Sequence, residues 1–245
     1  CDDAEKFNVL LQFLNSVKIT YLEIISEEKS ISILLLYILV MFHDRVHAGN
    51  ELAKKIVNPI SPETIVLAIP RGGVIVGHQI AAHFNLKLDV IVSKKLCPPG
   101  NSEFGVGAIL HDGTIYLPDL YVEYFTENSL NDEISKKTTQ VKNRLEKYRG
   151  DSNYDFEEKN IILVDDGIAT GSTVFAVAEW LKTKKIATCS IASPIIPSTL
   201  FKELKQKFSE VYAIDFPDSF VSVSEFYDNF DQVGDEIVLD ILSNY

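Results

Sequence analysis

Methionine and tryptophan each occur once in these 245 residues, and cysteine three times. Cys1, Cys97 and Cys189 are odd in number and far apart, so they build neither a disulfide framework nor a zinc-finger spacing. That usage suits a reducing compartment, and a cytoplasmic location is expected. Basic charge is also short: 23 Lys and Arg face 35 Asp and Glu, for a formal net charge of −12. Nucleic-acid-binding surfaces ordinarily show a basic face, so nucleic acid is not an expected partner. Long apolar runs are lacking too. Ile31–Phe42 falls well short of the ~20 residues that span a bilayer. A signal peptide would start basic, whereas Asp2, Asp3 and Glu5 make this start acidic. No membrane partner is expected. Neither G-x-x-x-x-G-K-[ST] nor a strand followed by G-x-G-x-x-G occurs, which sets aside P-loop and dinucleotide-binding readings.

The single methionine is Met41, and no conventional start precedes it. The expectation is a natural start there, with residues 1–40 as upstream sequence or an alternative-start extension and residues 41–245 as one domain. From Met41 onward, apolar runs alternate with helix-periodic stretches. That order predicts βαβ units and an α/β fold with a mainly parallel sheet. An amphipathic helix is expected over His43–Val57, with Val46, Leu52, Ala53 and Ile56 on one side and Pro59 and Pro62 ending it. Thr64–Ile69 reads as a strand, followed by a helix to about Phe84. Leu88–Ser93 reads as the next strand, with Lys94 and Lys95 at its end. Leu96–Glu103 is turn-rich, and Asp112-Gly113 predicts a hairpin joining Phe104–Leu110 to Thr114–Leu117. Further strands are expected at Ile161–Val164, Ile186–Ile191 and Val211–Ile214. Further helices are expected at Leu130–Tyr148, Val174–Lys182, Ser198–Phe208 and Asp235–Leu242.

The most informative stretch is Asn160–Thr173, N-I-I-L-V-D-D-G-I-A-T-G-S-T. Its β-branched run predicts a buried parallel strand. Asp165 and Asp166 then fall at the carboxyl end, where open α/β sheets bind ligands. Ala169, Thr170, Gly171, Ser172 and Thr173 lead into a helix N-terminus, whose free N–H groups and dipole favour an anion. Phosphate beside a pair of acids suited to sugar hydroxyls points to a phosphorylated ribose. A plain Asp-Gly turn is the bland alternative, but it would not require the hydroxyl–glycine loop.

V-D-D-G-I-A-T-G-S-T resembles the phosphoribosyl diphosphate (PRPP) signature of type I phosphoribosyltransferases. With F-H-D-R-V-H-A-G, P-R-G-G-V and K-K-L-C-P-P-G-N-S-E-F-G-V-G-A, the chain from Met41 on looks like a subgroup of predicted phosphoribosyltransferases of uncertain substrate. The resemblance implies a parallel sheet flanked by helices and a small hood built from terminal segments. It implies that Asp165 and Asp166 hold the 2′- and 3′-hydroxyls, directly or through Mg²⁺, and that Ala169–Thr173 hold the 5′-phosphate. Arg71, Gly72 and Gly73 match in order and composition the pyrophosphate loop after the first core strand, which in the family often contains a strained peptide. Arg71 can fork onto phosphate oxygens, and the glycines let backbone N–H groups turn toward them. Lys94 and Lys95 are a second cationic pair, and the loop after them looks like the family's mobile catalytic loop. Surface charge is the bland reading of either lysine.

Enzymes for 6-oxopurines usually carry an acid at the position of Ala169, and alanine there looks more like adenine or orotate enzymes. Phe216, Phe220, Phe226 and Tyr227 are candidates for stacking on a base or for core. His43 and His47 have a metal-compatible spacing but no third ligand nearby in sequence. Cys97 has no neighbouring base to activate it, and Cys189 reads as core. Lys142–Arg149 reads as a solvated helix face. The expected reaction is transfer from PRPP to a small-molecule acceptor, a nitrogenous base, with release of pyrophosphate. A PRPP-sensing regulator and a hydrolase of a phosphorylated ribose are the alternatives. Homo-oligomerisation stays open.

Overall fold

Short runs of Val, Ile and Leu form a parallel sheet because both of their faces are covered by helices. The computed structural model describes residues 42–245 apart from 58–60, 103 and 220, and Phe42–Tyr245 is one unit. The expectations on residues 1–41, Pro59 and Phe220 lie outside the described residues. The strands in this sheet are β1 (Thr64–Ala68), β2 (Lys87–Val90), β6 (Asn160–Val164), β7 (Thr188–Ala192) and β8 (Val211–Tyr212), in the order β2-β1-β6-β7-β8. All four pairings are parallel.

Side chains alternate between two cores. Val66, Ala68, Ile162 and Val164 face one core with α1 (Arg45–Lys55), α2 (Gly72–Phe84), α3 (Glu127–Arg149) and α6 (Asp235–Leu242). Leu67, Ile161 and Leu163 face the other, with α4 (Ser172–Leu181) and α5 (Ser198–Lys207). The chain winds outward from β1 through α2 to β2, and in the opposite direction from β6 through α4 to β7. The winding therefore reverses between β1 and β6, and a crevice opens at their carboxyl ends.

A second, antiparallel sheet holds β3 (Lys94–Leu96), β4 (Gly107–Ile109) and β5 (Ile115–Tyr116). This corrects the expected run Leu88–Ser93: the parallel strand stops at Val90, and Lys94 and Lys95 lie on a strand of their own. The hairpin turns at Asp112-Gly113, where Gly113 has φ 90° and the Thr114 N–H donates to Asp112 Oδ1 at 3.0 Å. Thr126 and Ser129 cap α3 reciprocally, and Gly150 ends it in the left-handed region.

Two expected helix faces need correction. On α1 Val46 is exposed and Arg45 is buried. On α3 Arg149 is not solvated. Its guanidinium makes a two-pronged pair with Asp89, at 2.6 and 3.0 Å, and lies over the Tyr154 ring.

The terminal segments of the described unit meet. The Phe42 N–H donates to the Phe226 carbonyl at 2.8 Å, the Asp228 N–H to the Phe42 carbonyl at 2.8 Å, and the Asn229 N–H to the His43 carbonyl at 2.9 Å. Phe42, Ala48, Ile195, Phe226 and Tyr227 form a small core under this junction. Among the described residues no helix is long and apolar enough to cross a membrane.

Candidate active site

The two loops at the reversal point touch. The Ile69 N–H, just past β1, donates to the Val164 carbonyl at the end of β6, at 2.8 Å. The next peptide but one, Pro70–Arg71, is cis. Gly72 then lies against the acid pair so closely that a Cβ there would collide with the Asp166 carboxylate. Gly72→Ala should therefore cost about 1–3 kcal/mol of stability, as overpacking of a rigid site does. Urea denaturation checks this, and an unchanged midpoint would show that the contact is looser than described.

Beyond the acids, Gly171 sits at φ 74° and starts α4, and no side chain caps that helix. The hydroxyls of Thr170 and Ser172 lie 3.2 Å apart at its mouth. A cavity of about 220 Å³ opens here, lined by Lys95, Gly105, Asp165 and the run Gly167–Val174. Ala169, Thr170, Gly171, Ser172 and Thr173 all contribute to it. Asp166 does not.

Strand alternation separates the two lysines. Lys95 is exposed and borders the cavity. Lys94 is half-buried on the other face of β3. Burial pushes its ammonium below the usual lysine range, and the charges of Arg144, Lys137 and Arg71 add to that. Arg71 reaches Asp235 at 3.8 Å. Asp235 also accepts from Lys147 at 2.7 Å and from the Tyr148 hydroxyl at 2.5 Å. Those two hydrogen bonds hold its carboxyl at about 2. Gly72 and Gly73 thus lie against Asp166 and Asp165, while the Arg71 side chain pairs with Asp235; Lys95 stands beside the phosphate-type loop and Lys94 in the field of Arg71.

The acids differ in surroundings. Asp165 accepts from the Asp166 N–H at 2.9 Å. Burial, then the charge of Asp166, raises the Asp165 carboxyl well above the usual carboxylate range. Asp166 instead receives the Arg45 Nε–H at 2.6 Å, and its backbone carbonyl receives the Tyr227 hydroxyl at 2.6 Å. Arg45 is only 8% exposed; it also donates to the Asp231 carbonyl at 2.9 Å and lies 3.8 Å from the centre of the Phe230 ring. Sequence reasoning missed Arg45, Asp235 and this role of Tyr227. One signal was available for Arg45: a cation in the first turn of a helix opposes the helix dipole, so it must have a partner elsewhere.

The other candidates fall away from the crevice or into packing. Tyr227 and Phe226 are core residues, and Phe216 packs edge-on against Phe201 with ring centres 5.1 Å apart. The His47 ring nitrogen Nδ1 accepts from the His43 N–H at 3.1 Å. Cys97 is buried, and its thiol lies 3.1 Å from the Ser102 carbonyl. Cys189 is half-buried, and burial pushes its thiol up to about 12.

Known proteins are similar to this chain in sequence, and one solved structure also in fold. Two Mycobacterium tuberculosis strains, CDC 1551 / Oshkosh and ATCC 25618 / H37Rv, each have a protein named provisionally as a phosphoribosyl transferase that is 31% identical over 205 residues. The similarity covers 82% of this chain and 46% of the mycobacterial protein, so the chain spans about half the length of those relatives. The crystal structure of TT1426 from Thermus thermophilus is 31% identical and superposes with a TM-score of 0.70, covering 83% of this chain and 98% of that one. The family model described as the phosphoribosyl transferase domain matches residues 41–231. Since that span includes both loops of the crevice and all five strands of the sheet behind them, the chain belongs to the phosphoribosyl transferase domain family.

Proposed function

We propose that this chain transfers the phosphoribosyl group of PRPP to a nitrogenous base and releases pyrophosphate. The observation that carries the reading is the cavity at the reversal point, where Asp165, Lys95 and the hydroxyl–glycine loop at the start of α4 share one space. In this reading the loop Ala169–Thr173 binds the 5′-phosphate through backbone N–H groups and the hydroxyls of Thr170, Ser172 and Thr173. The acid pair holds the ribose. Gly72 and Gly73 turn backbone N–H groups to the pyrophosphate, and Arg71 and Lys94 neutralise it as the bond to the anomeric carbon breaks. Lys95 and Gly105, which flank the turn-rich loop on either side, border the reaction space. That loop closes over bound donor and excludes water, the competing acceptor.

The family implies Mg²⁺. Mg²⁺ commonly takes one or two carboxylates and completes its shell with substrate phosphates and water. Asp165 fits that role, since it borders the cavity beside a second acid, Asp166. Asp165 and Asp166 are the residues that would hold the ion. When bound, it would supply positive charge to the pyrophosphate leaving group.

Ala169 carries no carboxyl at the position where enzymes for 6-oxopurines usually have an acid. A base that needs a protein carboxylate to take or give a proton is therefore disfavoured. The test is pyrophosphate release from PRPP and Mg²⁺ with adenine, hypoxanthine, guanine, uracil and orotate supplied singly. Release that depends on one base, with adenine or orotate ahead of hypoxanthine and guanine, is the expected result. Release without any base would favour the hydrolase. Tight PRPP binding without release would favour the sensor. No PRPP binding at all would refute the donor assignment.

A further inference from the structure

We propose that Asp235, in the first turn of α6, is a positioning residue for the pyrophosphate clamp: its carboxylate is the internal counter-charge that keeps Arg71 and Lys94 in place before the donor binds. This rests on the PRPP reading above. The family model ends at residue 231, so Asp235 comes from a helix that follows the matched span. Cations reach this spot from separate elements. Arg71 comes from the loop after β1, Lys94 from β3, and Lys137, Arg144 and Lys147 from α3. Arg144, Lys137 and Arg71 act on half-buried Lys94 as like charges, whereas Asp235 acts in the opposite sense. Ile109, the partner of Lys94 on β4, brings no charge.

Helix α3 fixes the Asp235 carboxylate by both oxygens. Lys147 Nζ donates to Oδ2 at 2.7 Å, and the Tyr148 hydroxyl donates to Oδ1 at 2.5 Å. Arg71 stands 3.8 Å from that same Oδ1. At this distance the pair attracts without a hydrogen bond. Asp235 therefore steers the guanidinium without using up its N–H groups, which can still fork onto phosphate oxygens. Without the carboxylate the cations repel one another. Arg71 is then pushed toward solvent, and Lys94 gives up its proton more readily. Asp235 is also an anion near an anionic ligand, and that effect opposes the first. Positioning wins, because Asp235 meets pyrophosphate only through Arg71, at a range where water and salt screen it. Arg71 and Lys94 make direct charged contacts, which are worth more.

The test is affinity for PRPP and for pyrophosphate, by calorimetry in Mg²⁺ from neutral to alkaline pH. The proteins are wild type, Asp235→Asn, Asp235→Glu, Lys94→Arg and the pair Lys94→Arg/Asp235→Asn, each checked for folding by thermal melt. Taking each variant as a ratio to its parent at the same pH cancels the titration of the ligand itself. Asp235→Asn should bind both ligands about fivefold more weakly at neutral pH, and the deficit should widen to roughly twentyfold as pH rises, the scale of one lost charged contact. The sign follows from Lys94, whose ammonium already sits below the usual lysine range because of burial. Loss of Asp235 lowers it further, so the variant sheds that charge at a lower pH than wild type. Asp235→Glu keeps the counter-charge and should recover most of the loss. In the Lys94→Arg background, Asp235→Asn should cost a factor that does not change with pH, because a guanidinium keeps its proton throughout. A folded Asp235→Asn protein that binds more tightly than wild type would overturn the proposal, since its charge would then compete with the ligand. So would a flat deficit, or a widening that persists with Arg at position 94. If Asp235→Asn does not fold, Tyr148→Phe carries the test: it frees one carboxylate oxygen and should give the same alkaline deficit at smaller size, and an unchanged profile would overturn the proposal. Wild type that binds neither ligand would overturn the PRPP reading and this proposal together. Wild type that binds both, with an unaltered Asp235→Asn profile, would overturn this proposal alone.

Discussion

The double variant Asp165→Asn/Asp166→Asn should bind PRPP at least roughly thirtyfold more weakly than wild type and release no pyrophosphate, the scale set by loss of charged hydrogen-bond acceptors. Two neutral amides can still accept single hydrogen bonds from sugar hydroxyls, but they hold neither a hard cation nor the charge that develops on the ribose. The fold should survive, because the two changes act in opposite senses. Neutralising Asp165 removes a charge that burial and its neighbour both disfavour. Neutralising Asp166 weakens the partner of Arg45, which keeps its contacts with Asp231 and Phe230. Calorimetry with PRPP, a coupled pyrophosphate assay and a thermal melt measure the three quantities. Unchanged affinity in a folded double variant would remove the ribose from this turn.

Trp180→Ala should produce the largest loss of stability, about 3–5 kcal/mol, the usual cost of emptying an aromatic site in a core. Domains of this kind have about 5–15 kcal/mol in all, so the variant should unfold at markedly lower urea. Trp180 is 0% exposed and packs against Tyr154, His111 and Phe156, with ring centres 4.9, 5.5 and 5.9 Å away. Trp180→Phe should cost much less. The indole nitrogen is buried and makes no hydrogen bond among the described residues, so its removal offsets part of the lost volume. The larger variant should also weaken PRPP binding, since Trp180 seats the helix whose first turn borders the cavity. A Trp180→Ala protein within about 1 kcal/mol of wild type would mean that this core can collapse around the gap.

Local patterns were readable where chemistry and spacing coincide within a few residues. The strand, acid pair and loop of Asn160–Thr173 follow each other without interruption, so one window shows them all. The same holds for Ile69–Gly73 and for the Asp112-Gly113 hairpin. Lys94 and Lys95 were harder, because an apolar run that continues to Ser93 carries no mark of where one sheet ends and another begins. Only the pairing of Lys94 with Ile109 and of Leu96 with Gly107 fixes that boundary. Long-range partners left no local trace at all. Arg45 meets Asp166 across 121 positions, and Arg149 meets Asp89 across 60. In a linear reading each looks like an ordinary surface charge. The aromatic tail was ambiguous for a related reason, since Phe226 and Tyr227 would have the same composition under a ligand or in a core.

The pairing of β1 with β6 also sets a schedule for synthesis. Thr64 must wait for Asn160 before its strand is flanked on both sides, while its other neighbour, β2, begins at Lys87. An emerging chain can thus close one βαβ unit early, but it carries an open apolar edge until the second half leaves the ribosome. Phe42 and Arg45 wait longer still, for Phe226 and Asp231. The first residues of the described unit are among the last to find their contacts, so a nascent chain stalled in the second half would expose the β1 edge to aggregation and to chaperones before any ligand could protect it.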